Sequence, residues 1–280
     1  MEILFVASEV APWSKTGGLG DVAGALPEAL AARGHTVSIV TPRYGSIDPA
    51  KHGLEPMHGA VRVRGEATSL WVKRGRAPVY FVEHELFFRS RRGLYADGQH
   101  DYGDNAQRFA YLARAALALP GALGLRPKIV HVNDWQTGLV PFLLGHEHGQ
   151  DPNLAGARTD YTIHNLAYQG VFPKDAVPAL GIPWSAFHWE QLEFHDQLSF
   201  MKAGLVFADA LTTVSPTYAR EILGEEAGLG LDALLRARSA DLSGILNGIS
   251  TDERDPARDR HLAAPFSAED LSGKAVSKAA

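Results

Sequence analysis

Apolar residues cluster first in EILFVA, residues 2–7, and again in TVSIVT, residues 36–41, both of strand length. Between them LGDVAGALPEALAARG recurs at helical spacing and stops at Gly34. A helix between two buried strands predicts a parallel pair joined by a right-handed crossover, the opening unit of a doubly wound, mostly parallel α/β sheet. Residues 60–83 change character. AVRVRG, SLWVK and PVYFVE are short β-rich runs separated by Gly65 and RGR, which predicts a small antiparallel insertion decorating the sheet. Residues 84–105 have no usable period and are long for a connection, so they read as a functional or mobile loop.

From Ala106 the α/β alternation resumes. AQRFAYLARAALALP predicts a helix, KIVHV a strand at 128–132, Trp135 to about Glu147 a helix, and TDYTIH a strand at 159–164. Further on come a helix in SFMKAGLVFA, a strand at 210–214, and a helix with Ser215 as N-cap and Pro216 at its first position. A helix in LGLDALLRARS and a strand in SGILNG follow. The tail is polar and proline-punctuated until Ser267 and Asp270 make a capping-box-like start to a last helical pattern, which has no C-cap by Ala280. That pattern reads as part of a longer design.

Composition narrows the chemistry. At 280 residues the chain is long enough for one large α/β domain or two small ones, and it has no cysteine, which removes disulfides, thiolate nucleophiles and cysteine-bound zinc together. No segment approaches the length of apolar sequence that spans a bilayer, and the N-terminus lacks the basic start and long apolar core of a secretory signal, so the expected location is cytoplasmic with no membrane partner. A net charge of -5 gives no footprint for nucleic acid, and the arginines and lysines of residues 62–92 read as solvated faces of strands and turns.

Candidate chemistry begins where the first strand meets its helix, in SKTGGLGDVAG. A glycine-rich turn there exposes backbone N–H groups at a helix N-terminus, where an anion is favoured, and Lys15 can add a point charge to a phosphate. The competing reading is that these glycines only permit a tight turn and close helix packing. Two familiar phosphate loops fail: KTGGLGD lacks the Gly-Lys-Ser/Thr of a Walker loop, and Gly17, Gly18 and Gly20 miss the G-x-G-x-x-G spacing. The second strand, ending IVTPRY, also lacks the acidic residue of a dinucleotide site, which weakens an oxidoreductase.

HVNDWQTG and HNLAYQG each follow a predicted strand, where ligands of open α/β sheets bind. Asn133, Asp134, His164 and Asn165 are therefore expected to converge with Lys15 on one crevice, a polar set suited to sugar hydroxyls and phosphates. His146 and His148 in GHEHG are two apart, do not share a helical face and read as no metal site. No G-x-S-x-G elbow occurs.

Taken in order, KTGGLGDVAGALP, HVNDWQTGLVP, YTIHNLAYQGVFP, LSFMKAGLVFADALTTVSPTYAREI and GILNGI closely resemble the N-terminal domain of bacterial glycogen synthases and plant starch synthases. The match runs from Met1 to about Gly248 and continues more weakly to the end. It implies the Rossmann-like N-terminal half of a GT-B glycosyltransferase that moves glucose from ADP-glucose to the non-reducing end of an α-1,4-glucan, with retention and without metal or other cofactor. It also implies roles: Lys15, with Gly18 and Asp21, against the donor phosphates; His164 beside the transferring glucose; Asn247 facing the donor sugar; and Glu9, Tyr95 and Asp134 on the acceptor side. Of these, Lys15 and His164 are the catalytic pair.

The resemblance divides the chain into residues 1–248, the catalytic N-terminal domain, and 249–280, a segment crossing toward a second, nucleotide-binding domain that the chain does not encode. On that reading the isolated chain transfers glucose poorly or not at all, and residues 249–280 have little to bury. The junction departs from the family pattern: Ser250 stands where an aspartate is usual, and Arg254 where a tryptophan anchor is usual. The alternative is a non-catalytic module that binds glucan or a partner. Oligomeric state is not legible.

Overall fold

A computed structural model describes residues 1–249 and 255–280, so Ser250 and Arg254 lie outside the described residues. Met1–Leu246 and Asn247–Ala280 are two separate compact units. In the first, strands β1 (Glu2–Val6), β2 (Thr36–Pro42), β3 (Glu55–Val63), β4 (Glu66–Lys73), β5 (Val79–Val82), β6 (Ile129–Asn133) and β7 (Arg158–Ile163) form one sheet with two later strands, β11 (Ala210–Thr213) and β12 (Leu242–Gly244). The order is β12-β11-β7-β6-β1-β2-β5-β4-β3. Three short strands, β8 (Val171–Pro173), β9 (Glu193–Phe194) and β10 (Gln197–Ser199), make a separate antiparallel sheet in the order β8-β10-β9.

β1 sits inside the large sheet with β2 on one side and β6 on the other, both parallel to it. Its burial explains its composition: Leu4, Phe5 and Val6 are at most 1% exposed, because a strand covered on both faces has no polar side. α1 (Gly18–Ala32) carries the chain from β1 to β2 and lies against β2. From β2 the chain runs to the outer edge at β3, comes back through β4 to β5 beside β2, then crosses to the far side of β1 at β6 and moves on through β7 and β11. With crossovers of one hand, that reversal puts α1 on one face, and the helices Asn105–Leu123, Leu139–Glu147 and Phe200–Phe207, which pack on one another, on the other face. The reversal leaves a crevice at the carboxyl ends of β1 and β6.

Three expectations are redrawn by the structure. PVYFVE is not part of an insertion: β5 runs parallel to β2 and antiparallel to β4, so the β3–β4 hairpin is continuous with the main sheet. The single helix expected from Trp135 to Glu147 divides into Asp134–Thr137 and Leu139–Glu147, because Pro141 has no N–H to give the Thr137 carbonyl. In the second unit the last helix spans Ser272–Ala279; Ser267 Oγ does accept from the Asp270 N–H at 3.2 Å, but this closes a turn ahead of the helix.

The aperiodic stretch 84–105 is built around one side chain supplied by the next helix. Arg108, wholly buried, donates to the Phe87 and Leu94 carbonyls at 2.6 and 2.8 Å and to Asn105 Oδ1 at 2.6 Å, and its guanidinium lies over the Tyr102 ring. The stretch also makes backbone bonds of its own, in a π-helical turn over Glu85–Arg89 and an antiparallel bridge between Ala96 and Asp101, and the buried cation takes two of its carbonyls and ties these pieces to the helix. The basic residues of 62–92 include members held locally, Arg74 to Glu55, Arg89 to Glu85 and Arg91 to Asp104. Among the described residues no helix is long and apolar enough to cross a membrane.

Candidate active site

The glycine turn opens α1 at the carboxyl end of β1. Gly17 is the N-cap, in extended conformation, and has no side chain of its own to cap the helix. A Cβ added at Gly17 or Gly18 would meet nothing within 4 Å, whereas one at Gly20 would come within 3.1 Å of Lys15 and one at Gly24 within 2.7 Å of the Ala11 carbonyl. The two readings of the glycines therefore divide by position. Gly20 and Gly24 allow close packing; Gly17 and Gly18 have open space where a side chain would be, and the N–H groups from Gly18 onward form the helix N-terminus that can receive an anion. Lys15 Nζ and Asp21 Oδ1 stand 2.6 Å apart at the rim, each a little over two-fifths exposed.

Behind the turn lies Glu9, only 3% exposed. Its carboxylate accepts from the Thr16 N–H and hydroxyl, both at 2.5 Å, from the Gly17 N–H at 3.4 Å and from the Tyr95 hydroxyl at 2.6 Å. Since Tyr95 spends its one proton on Glu9, the Ser8 hydroxyl is the donor in its 2.8 Å contact with Tyr95. Burial, first, then the nearby Tyr44 and Glu9 push the Tyr95 phenol well above its ordinary pKa, so it stays protonated as a donor. Glu9 and Tyr95 are thus tied to the glycine turn. The pattern S-E-V followed by K-T-G-G carries no local signal of that latch, which is why the sequence alone does not reveal Thr16.

The other half of the site follows β6 and β7. Asn133, wholly buried as the last residue of β6, donates from Nδ2 to the Val6 carbonyl at 3.0 Å, and its Oδ1 lies 3.0 Å from His164 Nε2. One amide therefore joins the ends of β1, β6 and β7. Asp134, next in the chain, has φ of 54°, the left-handed region that costs a non-glycine residue about 1–3 kcal/mol. That conformation accompanies a carboxylate that accepts the His164 N–H at 2.7 Å and the Asn165 N–H at 3.3 Å. Burial raises the Asp134 pKa to about 7 against the lowering effect of those two donors. Burial, with His131 nearby, lowers that of His164 to about 4, so its imidazole is neutral at pH 7.

The loop that carries His164 is braced from outside as well. Tyr218, on the helix Pro216–Glu221, accepts the Leu166 N–H at 3.0 Å, and Gly170, at φ of 56°, lies against Trp135 so closely that a Cβ would come within 2.4 Å of the indole. Asn165 is exposed and its Oδ1 caps the Ala167 N–H at 3.0 Å. Lys15, Gly18, Asp21, Glu9, Tyr95, Asp134 and His164 all fall on the connections that follow β1, β5, β6 and β7 on the carboxyl side of the sheet. Asn247 opens the second unit and is not one of this set. His146 stacks on Phe142 and His148 approaches Asp151 at 3.5 Å, so the two rings serve different neighbours.

Comparison with known proteins agrees with this geometry. A family model described as the starch synthase catalytic domain matches residues 2–237. A glycogen synthase of Anaeromyxobacter sp. (strain Fw109-5) is 76% identical over 280 residues, covering 100% of this chain and 59% of that protein. A glycogen synthase of Myxococcus xanthus (strain DK1622) is 52% identical, covering 99% and 59%. Among solved structures, the catalytic domain of starch synthase IV from Arabidopsis thaliana, bound to ADP and acarbose, superposes with a TM-score of 0.85 at 34% identity, over 97% of this chain and 56% of that one. The chain spans about three-fifths of the length of the curated relatives it matches. With the family model matching residues 2–237 and the starch synthase fold matched over 97% of its length, the chain belongs to the starch synthase catalytic domain family.

Proposed function

We propose that this chain forms the donor-phosphate and acceptor wall of a glycogen synthase, an enzyme that transfers glucose from ADP-glucose to the non-reducing end of an α-1,4-glucan with retention. The reading is carried by one observation: a glycine-opened helix N-terminus beside Lys15 follows β1 and a neutral histidine follows β7, the two strands that flank β6, and Asn133 at the end of β6 joins them. Family membership and the ADP-bound starch synthase neighbour support the choice of donor.

The chemistry required matches these groups. As the bond between the anomeric carbon and the diphosphate breaks, negative charge grows on the departing phosphate. Lys15 and the N–H groups from Gly18 onward would stabilise that charge, with Asp21 holding the lysine until the donor arrives. The acceptor 4-hydroxyl oxygen forms the new bond to the same carbon, and its proton leaves with the phosphate oxygen, so no side chain on this wall need act as a base. His164 lies beside the transferring sugar. Glu9, Tyr95 and Asp134 line the acceptor side, where Glu9 and Asp134 also hold the two loops in place. By its likeness to the family Asn247 is assigned to the donor sugar, residues 249–280 lead toward a nucleotide-binding domain, and the protein works in the cytoplasm.

Labelled ADP-glucose and glycogen, incubated with the natural protein that carries these residues, test the proposal. Incorporation that falls at least about 100-fold in Lys15→Ala, the scale of removing one group that stabilises transition-state charge, is expected. Glucan binding with no transfer under any condition, or transfer indifferent to Lys15→Ala, would replace it with a binding module or a different donor site.

A further inference from the structure

We propose that Asn133 is a positioning residue that fixes the tautomer of His164, with the proton on Nε2, so that Nδ1 is the ring's only lone pair for a ligand. The orientation of the Asn133 amide is forced by its neighbours. The Val6 carbonyl can only accept, so the Nδ2 group must face it at 3.0 Å, and Oδ1 is left facing His164 at 3.0 Å. An amide oxygen carries no proton; Nε2 must therefore supply it. Turning the amide over would set two acceptors against each other at Val6 in a wholly buried position.

Neither partner has freedom to escape this arrangement. The Asn133 N–H is held by Thr137 Oγ1 at 2.6 Å, and the same hydroxyl donates to the Asn133 carbonyl at 2.7 Å. The His164 main chain is pinned by Asp134 at 2.7 Å. His131, two residues before Asn133 on β6, bears on the ring, and Asp134 holds the main chain; burial with His131 keeps the imidazole neutral, so a single tautomer is meaningful at pH 7.

A consequence for specificity follows. Nδ1 of that tautomer accepts and cannot donate, and the ring carries no charge, so it suits a hydroxyl that offers a proton and is unsuited to a phosphate oxygen. The two halves of the crevice then divide their ligand chemically, anion at the glycine turn and hydroxyl at His164. This division rests on the glucosyltransfer reading; the tautomer does not.

Long-range 1H–15N spectra of the 15N-labelled chain at pH 7 decide the matter. We expect His164 to show a protonated, pyrrole-type Nε2 and a pyridine-type Nδ1. A protonated Nδ1, or the averaged signals of an unrestrained imidazole, would overturn the proposal. Asn133→Asp places a carboxylate at the same contact and should raise the His164 titration midpoint by at least about one pH unit, in the range of an adjacent opposite charge; an unchanged midpoint in the folded variant would count against the contact. If that variant fails to fold, the spectrum of the natural chain still decides. Added ADP-glucose that leaves the Nδ1 signal unmoved while the tautomer is as described would count against the functional reading alone.

Discussion

Asp134 concentrates the tension of the site in one residue, with a left-handed backbone, a mostly desolvated carboxylate and two backbone donors to hold. Its pKa rises from 3.8 to about 7, which makes stability depend on pH in a definite sense. Between those values the folded protein keeps a proton that the unfolded chain has released, so the stabilisation present below pH 4 is lost as pH rises toward 7, at no more than about 1.4 kcal/mol per pH unit, and is level above that. Asp134→Asn keeps an oxygen for the His164 N–H and removes the titration. Urea unfolding of the two proteins from pH 4 to 8 should show the variant gaining on the parent up to about pH 7 and then running parallel; curves parallel throughout would refute the assignment. At this scale the sequence shows which polar residues gather, since Asn133, Asp134 and His164 each follow an apolar run. It does not show what they hold, because their partners are the Val6 carbonyl and backbone N–H groups, which every residue type possesses.

The elements that carry these residues were legible wherever burial imposes a period. β1, α1 and β2, the helix Asn105–Leu123 and the strands β6, β7 and β11 fall within a few residues of their apolar runs, because the central strands are covered on both faces and read as unbroken hydrophobic stretches. The sequence was silent where a single side chain does the organising, as Arg108 does for 84–105, or where a fold decides the partner, as β2 does in turning PVYFV into a parallel strand. Gly204 is a case in point. In FMKAGLVF it reads as a tolerated helical glycine, yet a Cβ there would come within 2.6 Å of the Tyr161 ring, which is wholly buried and bonded to Met201 Sδ. Gly204→Ala should push the helix Phe200–Phe207 off β7 and cost about 1–3 kcal/mol, the usual penalty of overpacking. An unchanged urea midpoint would show that the seat is looser than described.

For the whole molecule, the order of strands does more than any one residue. Because β1, β6 and β7 run parallel and side by side, the glycine turn, the Asp134 corner and the His164 loop lie at the same end of the sheet, although the first is far from the other two in sequence. The chain spans 59% of the length of its Anaeromyxobacter relative, and residues of the unit Met1–Leu246 build the crevice described. The claim that this crevice receives a sugar diphosphate is the one on which the account turns. Amide spectra of the 15N-labelled chain titrated with ADP-glucose test it most directly. The account predicts that the largest shifts fall at Thr16 to Leu19 and at His164 and Asn165, and that Lys15→Ala abolishes those at the glycine turn. Saturable shifts confined to another surface, or glycine-turn shifts that persist undiminished in Lys15→Ala, would contradict it.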